Sequence, residues 1–102
     1  MDAPNSAGEN TAIDALDARR RRVRYRAWHR GTKEMDLVLG PYADAHTPHL
    51  DHGALDRLEA LMAEADTDLL KWVMGQEPAP ADADVELLDR IVAFRLRPAV
   101  TE

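Results

Sequence analysis

The stretch "AWHRGTKEMD", Ala27 to Asp36, sets one glycine inside a run of charges between two segments of helical periodicity. Upstream, Ile13, Leu16, Val23 and Ala27 fall near one helical face, interrupted by Arg20. Downstream, Met35, Val38, Leu39 and Tyr42 repeat the i, i+3, i+4, i+7 spacing. Gly31 can take positive φ without strain and so ends the first helix. Thr32 is placed to cap the second, with Glu34 and Asp36 in the turn where negative charge suits the helix dipole. The pattern predicts a helix–glycine–helix corner, its first helix running from about Thr11 to His29 and its second from Thr32 to His46. Arg30 and Glu34 are close enough to pair with each other, as an exposed ion pair worth at most about 1 kcal/mol. They can equally be presented together to a partner.

Working outward, the second helix contains Gly40-Pro41, where the proline loses a backbone hydrogen bond, so the expectation is one kinked helix. "HTPHLDHG", His46 to Gly53, reads as a turn, with Leu50-Asp51 as staple and N-cap of a third helix. Leu55, Leu58, Leu61 and Met62 give that helix its apolar stripe. Asp66 or Thr67 is expected to cap a short fourth helix, "DLLKWVM", closed by Gly75. "EPAPAD" reads as an extended linker, because each proline disfavours helix for itself and its predecessor. A last helix follows from about Asp82 to Arg95, with Val85, Leu88, Ile91, Val92 and Phe94 turned inward. No segment alternates as a half-buried strand does. The fold class expected is all-α, a small five-helix bundle: residues 1–12 a disordered arm, 13–96 the helical domain, 97–102 a flexible tail.

Composition narrows the function classes. A chain of 102 residues with 45% apolar residues has room for one core. It holds no cysteine, so disulfides, thiolate zinc sites and thiol nucleophiles are excluded. Its one serine, Ser6, lies in the expected arm, and no nucleophile–base set or glycine-rich phosphate loop is present. No apolar run reaches the roughly 18 residues that span a bilayer, and "MDAPNSAGEN" does not read as a secretory signal. A cytoplasmic protein that is not an enzyme is the expectation. The net charge of −6 divides unevenly, with +3 over residues 1–35 and −9 over residues 36–102. Such asymmetry suits a molecule that meets a partner with one face.

Three further features bear on chemistry. "RRRRVRYR", Arg19 to Arg26, carries six arginines in eight residues. An Arg-rich helix with an aromatic can bind nucleic acid, but arginines this dense spread around a helix and suit a solvated face or an acidic protein surface as well. His46, His49 and His52 have H-x2-H-x2-H spacing near Asp44 and Asp51; their place around a Pro-containing loop favours exposed turn histidines over a metal site. Trp28 and Trp72 read as core or half-buried residues, and Trp72 in "DTDLLKW" also suits an interface anchor.

The corner Arg30-Gly31-Thr32-Lys33-Glu34, followed by Met35-Asp36, resembles the R-G-x-x-E corner of the succinate dehydrogenase assembly factor 2 family, also called the FAD assembly factor SdhE family. The resemblance continues through Pro41-Tyr42, "DTDLLKW" at Asp66 to Trp72, the proline linker and the final helix, over about residues 19 to 95. Thr32 departs from it, standing where methionine is frequent. The resemblance implies a five-helix bundle that promotes covalent attachment of FAD to the flavoprotein subunit of succinate dehydrogenase, and in some bacteria of fumarate reductase. It implies a transient complex, with Arg30, Gly31, Glu34, Asp36 and Trp72 as client-binding residues; a monomer is the default for a chain this acidic. FAD and its linked histidine would belong to the client, with no cofactor stably bound here, no metal and no membrane. Two other readings stay open beside it. One is an antitoxin-like or regulatory module using the Arg-rich first helix on nucleic acid or an acidic protein. The other is a carrier that binds FAD itself, although no dinucleotide fingerprint is present.

Overall fold

The computed structural model describes the backbone of residues 4–96 and the side chains of residues 13–96. Five α-helices follow one another: α1 (Pro4–Trp28), α2 (Lys33–His46), α3 (His52–Met62), α4 (Asp66–Val73) and α5 (Val85–Leu96). A short 3-10 turn, Thr47–His49, joins α2 to α3. Among the described residues there is no strand, and the all-α fold holds. Helix α1 starts ahead of the expected Thr11, with Pro4 at its first position, where a missing N–H costs nothing. Of the arm expected over 1–12, residues 4–12 belong to α1, while residues 1–3 and the tail expected over 97–102 lie outside the described residues.

Packing follows the apolar stripes. Helix α1 lies against α2, α3 and the 3-10 turn, while α2 also meets α4 and α5. Val23, Ala27, Met35, Val38, Leu39, Tyr42, all four stripe residues of α3, and Leu88 and Ile91 are buried in one cluster. Two members of the expected core differ. Ile13 is exposed, and so is Val85 at 45%. Helix α5 begins at Val85 rather than Asp82, so Val85 lies in the first turn and Leu87 turns inward instead. Asp84 accounts for this start: its carboxylate accepts from the Leu87 N–H at 3.1 Å, as an N-cap does. Helix α4 also starts differently from expectation, with Ala65 at its N-cap position and no side-chain cap. Its end is as expected. Gly75 has φ +73°, and Gln76 N–H reaches the Lys71 carbonyl at 2.8 Å, a Schellman closure.

Gly40-Pro41 does not divide α2, which runs unbroken through the proline. The glycine has a packing reason instead. A Cβ built on Gly40 would sit 2.3 to 2.6 Å from three indole atoms of Trp28. Only a residue without a side chain lets α1 lay that ring against α2.

Two predictions follow from this packing. Gly to Ala inside a helix ordinarily stabilises by up to about 1 kcal/mol; Gly40→Ala is expected to destabilise by about 2 kcal/mol, because the indole must move. Urea denaturation measures the sign. Asp84 supplies the second. Arg57 donates to both its oxygens at 2.8 Å, and this contact above all holds the carboxyl below its ordinary value of 3.8. The folded state therefore binds its proton less readily than the unfolded state, and the stabilisation is complete above the ordinary value. It is lost as pH falls below 3.8 through the depressed folded value. Asp84→Asn is expected to flatten that acid limb in a series of melting temperatures against pH.

Candidate functional site at the α1–α2 corner

The corner is assembled from backbone bonds that its own side chains complete. Helix α1 ends at Trp28, and Gly31 takes φ +104°, a conformation that L side chains rarely adopt. Thr32 is extended and accepts the Met35 N–H at 3.3 Å, the cap expected from sequence. Asp36 reaches back across the turn: its Oδ1 accepts the Arg30 N–H at 2.7 Å. That bond fixes the path of the chain into the glycine. Beyond its two chain neighbours, no atom of the described residues lies within 4 Å of where a Gly31 Cβ would point, so the constraint at Gly31 is conformational and its outer side is open.

Arg30 and Glu34 do not pair with each other. The Arg30 side chain is only 14% exposed, and it turns toward α4. Its Nε and Nη2 donate to Asp66 Oδ1 at 2.8 and 2.6 Å, and Nη2 also donates to the Glu64 carbonyl at 3.2 Å. Asp66, expected as a helix cap, is thus the first residue of α4 and the anchor of the corner. A carboxylate there is favoured by the helix dipole as well as by the guanidinium. Glu34 is exposed and makes no side-chain hydrogen bond or ion pair among the described residues. Gly31, Thr32 and Lys33 are exposed beside it. Of the five candidate residues, Gly31 and Glu34 face outward, whereas Arg30 and Asp36 hold the corner's shape. Trp72 stands apart, half-buried in a groove between α4 and α5 lined also by Pro78, Val85, Leu88 and Val92.

The Arg-rich segment is largely consumed by the fold. Arg19 donates to Asp56 and Glu59 on α3, and to His52 Nδ1 at 2.8 Å. Arg20 donates to the Leu50 carbonyl at 3.0 Å, and Arg24 to the buried Thr47 hydroxyl at 2.9 Å. Arg26 lies 3.7 Å from Glu59. Arg21 and Arg22 have no side-chain partner among the described residues. The histidines are drawn into separate contacts: His46 is half-buried and stacks on Tyr42 at 4.1 Å, His52 meets Arg19, and His49 is exposed. Among the described residues no group of three or more His, Asp or Glu side chains is arranged to hold a metal ion.

Residues 21–95, which include the whole corner, match the family model described as flavinator of succinate dehydrogenase. The chain belongs to this family. Among its relatives, the FAD assembly factor SdhE of Acetobacter pasteurianus is 34% identical over 88 residues, spanning 86% of this chain and 81% of that protein. The SdhE of Pseudomonas aeruginosa is 34% identical over 73 residues, covering 70% of this chain and 86% of its own length. The mitochondrial succinate dehydrogenase assembly factor 2 of Dictyostelium discoideum is 27% identical over 79 residues, covering 78% of this chain and 56% of that protein. No solved structure matches the chain.

Within this flavinator-family member, the sequence pattern pointed to the corner but not to its internal anchor. Asp66 or Thr67 read as a helix cap, and nothing near either in the chain signalled the arginine 36 positions before Asp66. Removal of either partner from this largely buried, charge-assisted contact is expected to cost about 2 kcal/mol. The double variant Arg30→Ala/Asp66→Ala should cost little more than either single one, since both delete the same bond. Chemical denaturation of the three variants tests this, and simple additivity would contradict the pairing.

Proposed function

We propose that the chain is an assembly factor that promotes covalent FAD attachment to the flavoprotein subunit of succinate dehydrogenase, binding that subunit through the outward side of the α1–α2 corner. The family match over residues 21–95 carries this reading. The names of the relatives, FAD assembly factor and succinate dehydrogenase assembly factor, agree with it. Fumarate reductase's flavoprotein subunit is a second client within the same proposal. The complex is transient, the free chain is a monomer, and both act in the cytoplasm. No helix among the described residues is long and apolar enough to cross a membrane.

Linking an imidazole to the flavin 8α-methyl removes a methyl proton, adds the client's histidine nitrogen to that carbon, and leaves the electron pair on the isoalloxazine. All three groups belong to the client and its FAD. This chain contributes position: a partner that fixes the client's domains in the reacting arrangement lowers the barrier without supplying a reacting group. Gly31 suits that task because its open outer side lets another backbone approach closely. Glu34 suits it because its carboxylate, with no side-chain partner among the described residues, can accept from client N–H groups. Arg30 serves from within, holding the corner to α4 through Asp66. Asp36 does so by fixing the Arg30 amide. Neither the reaction nor the factor's part in it requires this chain to be an enzyme or to hold FAD.

The Arg-rich first helix gives less support to a nucleic-acid module, since Arg19, Arg20, Arg24 and Arg26 already meet groups of the fold. The client reading is tested by co-expressing the flavoprotein subunit with this chain and reading covalent flavin by in-gel fluorescence. Glu34→Ala is expected to lower flavinylation about tenfold or more while leaving the melting temperature unchanged. Gly31→Arg is expected to abolish it. Normal flavinylation with both variants would remove the corner from the mechanism.

A further inference from the structure

Helix α2 buries Met35, Val38, Leu39 and Tyr42, yet it leaves Leu37 54% exposed. Leu37, Gly40, Pro41 and Asp44 fall at i, i+3, i+4 and i+7, one above the next on a single face. Gly40 contributes no side chain, and the half-buried Trp28 indole fills its place in van der Waals contact with the helix. The indole is fixed at its polar edge, because Nε1–H donates to Asp44 Oδ2 at 3.1 Å. Pro41 adds a rigid apolar ring and, lacking an N–H, cannot make the usual helical bond to the Leu37 carbonyl. An aromatic ring, a proline and a leucine thus share one face, two of them already immobilised. Such surfaces lose little conformational entropy when a partner covers them.

The face has a direction and a charge. Glu34 lies one turn before Leu37, joining the patch to the Gly31 corner, and Asp44 lies at its far end. Two exposed carboxylates therefore bracket the apolar residues, and Glu34 has no side-chain partner among the described residues. Apolar centres rimmed by charge are the ordinary anatomy of a binding hot spot.

We propose that Trp28, Leu37 and Pro41 form the apolar anchor of the interface with the client flavoprotein, taking an apolar side chain flanked by a basic residue that meets Glu34 or Asp44. The proposal rests on the client reading above and extends its interface along α2, beyond the five-residue corner. Continuity with the open side of Gly31 and the acidic rim favour this occupant over a second copy of the chain.

The experiment measures the affinity of the full chain for the purified flavoprotein subunit by titration calorimetry, beside light scattering of the free chain. Leu37→Ser is expected to weaken binding about tenfold or more, and Leu37→Met to bind as the wild type does. Ile13→Ser and Met74→Ser, at exposed apolar residues elsewhere, are expected to change nothing. Because Leu37 lies outside the core, its variants should melt with the wild type. Tight binding by the wild type with undiminished binding by Leu37→Ser would overturn the anchor and leave the client reading intact. Failure of the wild type to bind would overturn both. A dimer of the free chain that Leu37→Ser dissolves would assign the face to a second copy and overturn the proposal.

Discussion

The contact between Arg30 and Asp66 decides what the α1–α2 corner can be. A guanidinium with two nitrogens on one carboxylate oxygen, at 2.6 and 2.8 Å, ties the end of the first helix to the start of the fourth. Charge-assisted bonds of this kind are directional as well as strong, so the contact sets orientation and not merely proximity. With Arg30 turned inward, the Asp36 carboxylate is free to take the Arg30 amide, and Gly31 is held at a φ no other residue adopts easily. Everything exposed at the tip, from Gly31 to Glu34, inherits its position from these partly buried bonds. A motif that reads as two surface charges is, in three dimensions, one structural charge and one presented charge.

The same division runs through α1. A stretch with six arginines in eight residues looks like a surface for polyanions, yet its charges are distributed around the helix and meet different neighbours. Arg19 satisfies carboxylates of α3, Arg20 and Arg24 meet oxygens near the 3-10 turn, and only Arg21 and Arg22 are left without side-chain partners among the described residues. Arg19, Arg26 and Arg30 of the basic first third take their counterions from the acidic remainder, at Asp56, Glu59 and Asp66, while Arg20 pairs with Asp17 on its own helix. This explains how a chain of net charge −6 carries so basic a helix without implying a nucleic-acid partner.

Much of this was legible in the sequence, and the exceptions have physical reasons. The stripes of α2 and α3, the Thr32 and Asp51 caps and the glycine closures depend on residues near one another in the chain, and periodicity exposes them. The Arg30–Asp66 contact joins residues 36 positions apart, where local patterns carry no information. Gly40 looked like a flaw in a helix because its reason, the indole of Trp28, comes from a different element. Val85 looked inward because the helix was started three residues early; the cap that sets its start is Asp84, itself fixed by Arg57 on α3. Leu37 carried a signal that periodicity alone could have read, being an apolar residue off the buried stripe of its own helix.

The central claim is that the client is met by the outward side of the corner and not by the basic helix. Hydrogen–deuterium exchange of the chain, free and bound to the flavoprotein subunit of succinate dehydrogenase, tests it most directly. The account predicts slowed exchange on binding at amides of residues 31 to 37, with residues 19 to 26 unchanged. Protection concentrated in residues 19 to 26, with the corner exchanging as in the free chain, would contradict it.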